Sequence, residues 1–117
     1  MPHSPDVSRP TLLELHQEGD SLTLRLRLEP ELVWFRGHFP GAPLLPGVVQ
    51  LHLAIQYACE QWAIEEQFGG LEMLKFQRPL QPGNEVDLLL EWQPERRKLQ
   101  FCYRRDGEVA SSGRVKL

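Results

Sequence analysis

Leu22, Leu24, Leu26 and Leu28 alternate strictly with Thr23, Arg25 and Arg27. Period-two alternation turns one row of side chains toward a core and the other toward water, so "SLTLRLRLEP" is predicted to be a half-buried strand. "TLLELHQ" precedes it across Gly19-Asp20, and the two segments read as an antiparallel hairpin. From Gly47 to about Gln67 the period changes. Apolar residues fall at Val48, Leu51, Ile55, Ala58 and Trp62, with Val49, Leu53, Ala54 and Ala63 between them. That spacing predicts a helix of about five turns, apolar around most of its circumference. Such a helix must be enclosed. "LEMLKFQRPL", "NEVDLLLEW", "KLQFCYRR" and "EVASSGRVKL" read as strands that supply the enclosure, separated by Pro82-Gly83, Gln93-Pro94-Glu95 and Asp106-Gly107. Turn-linked strands build an antiparallel sheet, so the expected class is α+β, with one sheet and one central helix.

The length of 117 residues, 41% of them hydrophobic, suits a single domain over 1–117 with one modest core, its proline-rich first ten residues read as a mobile lead. A formal charge of −3 argues against a nucleic-acid module, which would carry a basic balance or stripe. Cys59 and Cys102 lie far apart without CxxC spacing, which suggests buried thiols in a reducing compartment and neither a zinc site nor a disulfide framework. "MPHSPDVSRP" has no apolar signal core, and no apolar run is long enough for a membrane span. A cytoplasmic location is the expectation.

Chemistry concentrates in "RGHFPGAPLLPGVVQLHLAIQ", Arg36 to Gln56. Pro40, Pro43 and Pro46 fix φ and bias the residue before each toward extended geometry, so Phe39 to Leu45 is predicted to be a stiff loop. Pro46 stands at the helix start with Gly47 after it, leaving early N–H groups unpaired and without a Cβ in front of them. Such an end attracts a carbonyl oxygen or an anion. On local physics alone, His38 beside it reads equally well as a structural hydrogen-bonding histidine.

"GHFPGAPLLPGVVQLHLAIQ" resembles the GHFPGxPxxPGVxxxEAxAQ signature of the 3-hydroxyacyl-acyl-carrier-protein dehydratases of the FabA/FabZ type. "KFQRPLQPGNEV" is similar to that family's RFxxPVxPGDxL segment and "DGEVASSGRV" to its terminal DGxxxAxAxx strand, so the likeness runs from about Glu31 to the C-terminus. The resemblance implies the hotdog fold, an antiparallel sheet wrapped around the long helix. It puts His38 on the catalytic histidine, and Gly47, with Val48 next to it, on the helix start whose backbone N–H binds the thioester carbonyl. Proton removal beside a thioester builds enolate character on that oxygen. A helix N-terminal N–H stabilises the charge as it develops, and a neutral imidazole is a suitable base. By the same resemblance Gln56 matches a glutamine that orients the acid, and Trp34, Phe35 and Phe39 would border the acyl path, although aromatic residues beside such a loop equally suit core filling. The partners implied are acyl carrier protein with a phosphopantetheine-linked 3-hydroxyacyl chain, and a second copy in a homodimer whose sites span the subunit boundary. The acidic carrier would dock on basic Lys75, Arg78, Arg96, Arg97 and Lys98, which equally suit a solvated strand edge.

One position departs from the signature. Fourteen residues after His38 the family carries a carboxylate, and here His52 stands. His52 replaces the carboxylate as proton donor, or another residue does, or dehydration has been lost. Glu60 lies two turns on, about 12 Å along the helix, too far for the same task. A variant of this kind is similar to the dehydratase-like hotdog proteins of aryl-polyene pathways. A thioesterase and a non-catalytic acyl-binding protein stay open beside the dehydratase. His38 and His52 have no third ligand at a telling spacing, and His3 and His16 fall in unrelated segments, so neither metal nor cofactor is expected.

Overall fold

The computed structural model describes residues 8–36, 43–65 and 67–117. Its elements are β1 (Thr11–Glu18), β2 (Ser21–Arg27), a 3-10 turn (Val33–Phe35), α1 (Gly47–Trp62), β3 (Gly70–Phe76), β4 (Glu85–Gln93), β5 (Lys98–Arg105) and β6 (Glu108–Lys116). The six strands form one sheet in the order β1-β2-β4-β5-β6-β3, antiparallel at every pairing. The leucine alternation of β2 sets the inner face. Leu22, Leu24 and Leu26 are all buried, and they stand opposite Leu90, Leu88 and Val86 of β4. The pairing continues to Phe101 and Tyr103 on β5. Against this face α1 presents Val49, Leu53, Ala54, Tyr57 and Ala58, so helix and sheet share one core. At about 25 cal/mol per Å² of apolar surface withdrawn from water, this contact is the main force holding helix to sheet.

Three elements end sooner than their patterns predict, β2 among them, which closes at Arg27 rather than Pro30. The helix stops at Trp62, not near Gln67, because Ala63 takes left-handed geometry with φ 50° and its N–H bonds the Cys59 carbonyl. The Ile64 N–H reaches the same carbonyl at 3.2 Å, and the Ile64 side chain packs against the core. That apolar contact offsets the strain of a non-glycine residue in the cap. The β3 ladder stops at Phe76, where Gln77 and Arg78 both donate their N–H to the Ala110 carbonyl, at 2.8 and 3.0 Å, and Pro79 follows.

Ser8 to Pro10, expected to belong to a mobile lead, are held in place. The Trp34 indole N–H donates to the Ser8 carbonyl at 2.8 Å, and Pro10 is buried. The Arg9 guanidinium grips Glu60 with two bonds of 2.8 and 2.9 Å and lies 4.5 Å from the centre of the Tyr57 ring. The hydrogen bond from Arg9 pulls the Glu60 carboxyl below its usual range, while burial pushes the Tyr57 hydroxyl up.

Candidate active site

The start of α1 is built for a bare N-terminus. Pro46 precedes the first helical residue with extended geometry and no capping side chain, and the first turn contains no acidic residue. The Pro46 carbonyl accepts from the N–H groups of Val49 and Gln50 at 3.0 and 3.1 Å, and among the described residues no acceptor takes those of Gly47 and Val48. Two amide hydrogens are therefore available at the positive end of the helix dipole. Gly47 is glycine because of a close approach: a Cβ there would stand 2.5 to 2.9 Å from the tip of the Phe76 ring.

The loop leading in is anchored as well. Leu45 donates its N–H to the Leu80 carbonyl at 2.7 Å and accepts from the Gln50 side-chain amide at 2.9 Å. Gln50 is 3% exposed. Its Oε1 accepts from the Ser111 hydroxyl at 2.6 Å, and its backbone carbonyl accepts from the Tyr103 hydroxyl at 2.7 Å. Both partners are fully buried, and burial pushes the Tyr103 hydroxyl well above the ordinary tyrosine range. Sequence reasoning passed over Gln50 and Phe76. The available signal for Gln50 was a polar residue three positions after Gly47 on a helix otherwise apolar on that side.

His52 is exposed on α1, one turn beyond Val48, which is 74% exposed. Gln56 follows one turn later and is half-buried. These residues form a stripe that the sheet of the same chain does not cover. Glu60 is committed to Arg9. His38 and Phe39 lie outside the described residues. Phe35 is buried in the core, and Trp34 packs against that core and holds Ser8, the core-filling alternative for both aromatic residues.

The five basic residues expected to form one docking surface divide into two groups. Lys75 flanks Phe76 on β3, and Arg78, paired with Glu108, lies just beyond it. Arg96, Arg97 and Lys98 sit at the turn between β4 and β5. On β6, Lys98 stands opposite Lys116 and Phe76 opposite Ser111, a separation of about 17 Å along the strand. Arg97 donates to the carbonyls of Leu117 and Glu65, and Lys98 pairs with Glu72, whose carboxyl is held below its usual range by that hydrogen bond. A cleft of about 430 Å³ lies on the outer face of the sheet, over Leu89, Cys102 and Ser112. By strand alternation it opens away from α1, so it is not part of this site.

Among the described residues no group of histidine, cysteine and carboxylate side chains could hold a metal ion, and no helix is long and apolar enough to cross a membrane.

A six-stranded antiparallel sheet around one long helix, with bare amides at the helix start, defines a hotdog-fold protein. An (R)-hydratase from A. caviae shares this fold, with a TM-score of 0.64 at 20% identity over 90% of this chain and 97% of its own. The family model described as ApeI-like, ApeI dehydratase, matches residues 14–114, and the chain belongs to that family. The solved dehydratase heterocomplex ApeI:P from Xenorhabdus doucetiae contains a chain 41% identical, with a TM-score of 0.87 over 92% of this chain and 96% of that one. The 3-hydroxyacyl-[acyl-carrier-protein] dehydratase FabZ of Acetivibrio thermocellus is 34% identical over 94 residues, 72% of this chain. The match spans 64% of that relative's length.

Proposed function

We propose that the protein removes water from a 3-hydroxyacyl thioester carried on acyl carrier protein, giving the trans-2-enoyl thioester in fatty-acid-like or polyene biosynthesis. The observation that carries this reading is that, among the described residues, no acceptor takes the N–H groups of Gly47 and Val48, at a helix start with no side-chain cap. Family membership supports it. His38 takes the proton from the carbon next to the carbonyl, and the electron pair of that C–H bond becomes the new double bond. The Gly47 N–H steadies the negative charge that grows on the carbonyl oxygen. His52, as imidazolium, protonates the β-hydroxyl as its C–O bond breaks, and water leaves.

The site is completed by a second chain. The stripe of Val48, His52 and half-buried Gln56 starts at the helix end where Gly47 meets Phe76 of β3, and on that strand Leu71, Met73, Leu74 and Phe76 are exposed. In the assembly that the family resemblance implies, a second chain covers these surfaces, and His52 of one protomer shares a site with His38 of its partner. A homodimer gives two such sites. The Xenorhabdus relative, solved as a heterocomplex, favours a second reading in which a non-identical dehydratase chain brings the carboxylate that His52 replaces. Carrier docking falls to Arg78, which follows Phe76 by two residues in the chain, with Lys75 beside it on the outer face of β3.

The test is incubation of the purified protein with a 3-hydroxyacyl carrier protein, following the acyl group by mass spectrometry. Loss of water supports the proposal, whereas release of free acid, or an acyl group left unchanged both by the chain alone and after a companion dehydratase chain is added, overturns it. Light scattering of the chain alone, with the assay repeated after adding a companion dehydratase chain, separates the two assemblies. A dimer active alone is the homodimer; a chain active only with its companion is the mixed pair.

A further inference from the structure

Gly47 and Gln50 are three residues apart and so share one face of α1. Phe76 and Ser111 are cross-strand neighbours on β3 and β6, and Tyr103 is paired with Ser111 from β5. The helix therefore meets one transverse row of the sheet at two adjacent points. Gly47 rests on the Phe76 ring, and Gln50 bonds Ser111 through its side chain and Tyr103 through its carbonyl. Sliding or rolling the helix enough to lose one contact loses the other.

A side-chain cap would ordinarily hold a helix start, but it would do so by taking first-turn N–H groups. Here those are the groups left open for the substrate carbonyl. The start has to be fixed by something that leaves them free. Gln50 meets that requirement, because its amide points backward to the Leu45 carbonyl and sideways to Ser111, and neither bond uses a first-turn N–H.

We propose that Gln50 is the positioning residue of the site, tying the loop end at Leu45, the first turn of α1 and strand β6 together so that the Gly47 and Val48 amides keep a fixed direction. This rests on the dehydratase reading. It differs from a purely structural role for a satisfied buried amide, which affects how much protein is folded but not the turnover of each folded molecule.

The experiment compares Gln50→Met, which keeps the bulk and removes the amide, with Ser111→Ala, which removes one anchor. Arg9→Ala is the control, since it loosens α1 at its far end, away from the site. For Gln50→Met, kcat on a 3-hydroxyacyl carrier protein is expected to fall about ten- to a hundredfold with KM within about twofold, as suits misdirected oxyanion donors. Ser111→Ala should give a smaller fall of the same kind. Arg9→Ala should lower the melting temperature without changing kcat. In nuclear magnetic resonance spectra the Gly47 and Val48 amide signals should shift or broaden in Gln50→Met and Ser111→Ala, but not in Arg9→Ala. Unchanged kcat and unchanged amide signals in folded Gln50→Met overturn the proposal. If Gln50→Met does not fold, Ser111→Ala decides by the same two measurements. Should the wild type fail to dehydrate, the function falls, while the amide signals still test the clamp.

Discussion

At Gly47 and His52, single atoms decide between chemistry and packing. Gly47→Ala would push a methyl group into the tip of the Phe76 ring, a clash that overpacking in a rigid core makes worth about 1–3 kcal/mol. Phe76 is 49% exposed, so its ring can swing toward solvent and the stability loss should stay near the low end. Turnover should fall more, because the methyl group and the displaced ring both crowd the open amides. Thermal melting and kcat measured together test this, and a large stability loss with normal turnover would contradict it. On the proposed mechanism, His52→Ala removes the proton donor and should cost about 10²–10⁴-fold in kcat. His52→Glu should retain or raise the rate, and an unchanged rate in His52→Ala would remove the histidine from the reaction. The Pro-Gly helix start and the substitution at His52 were legible in the sequence because each is a local pattern. The reason for glycine was not, since Phe76 is 29 positions away in the chain and arrives only through the β3–β6 pairing.

The elements that kept a clean period were read most closely, β4 and β5 within a residue and β2 from its first residue, although it closes at Arg27 rather than Pro30. β2, β4 and β5 alternate inside and outside along their whole lengths, and that regularity is visible without a structure. α1 was overextended because Ala63 and Ile64 continue the apolar run, although packing of Ile64 turns the chain. Gln50 escaped notice because a glutamine within a helix reads as solvent-facing until the register of β5 and β6 is known. That register also gives a pH response. Burial raises the Tyr103 hydroxyl above its unfolded value, so its contribution to stability is complete below about pH 10, the ordinary tyrosine value, and is lost as pH rises from there toward the folded one. Melting temperature against pH should therefore decline above that point in the wild type. Tyr103→Phe should flatten this decline, while lowering stability at neutral pH by about 1 kcal/mol for the lost bond to the Gln50 carbonyl. An equally steep alkaline decline in Tyr103→Phe would assign it to other groups.

At the scale of the whole molecule, the described residues leave the sheet open at β1 and β3, and β3 exposes apolar side chains, one of which, Phe76, meets the helix start at Gly47. Leu71→Lys combined with Leu74→Lys should convert the assembled protein to single chains by light scattering while circular dichroism stays unchanged; persistence of the assembly would move the interface elsewhere. Edges of this composition carry a hazard, because a long flat apolar strand templates another and the series need not end. β3 is not flat. Its register with β6 slips between Glu72 and Lys75, and Met73 takes a left-handed φ of 53°. The kink leaves two short pairing stretches in place of one continuous rail. A partner bent to match can seat once, and no straight ladder extends beyond it. Concentrated solutions should accordingly stay clear and hold discrete particles rather than filaments, despite the row of leucine, methionine and phenylalanine at the rim.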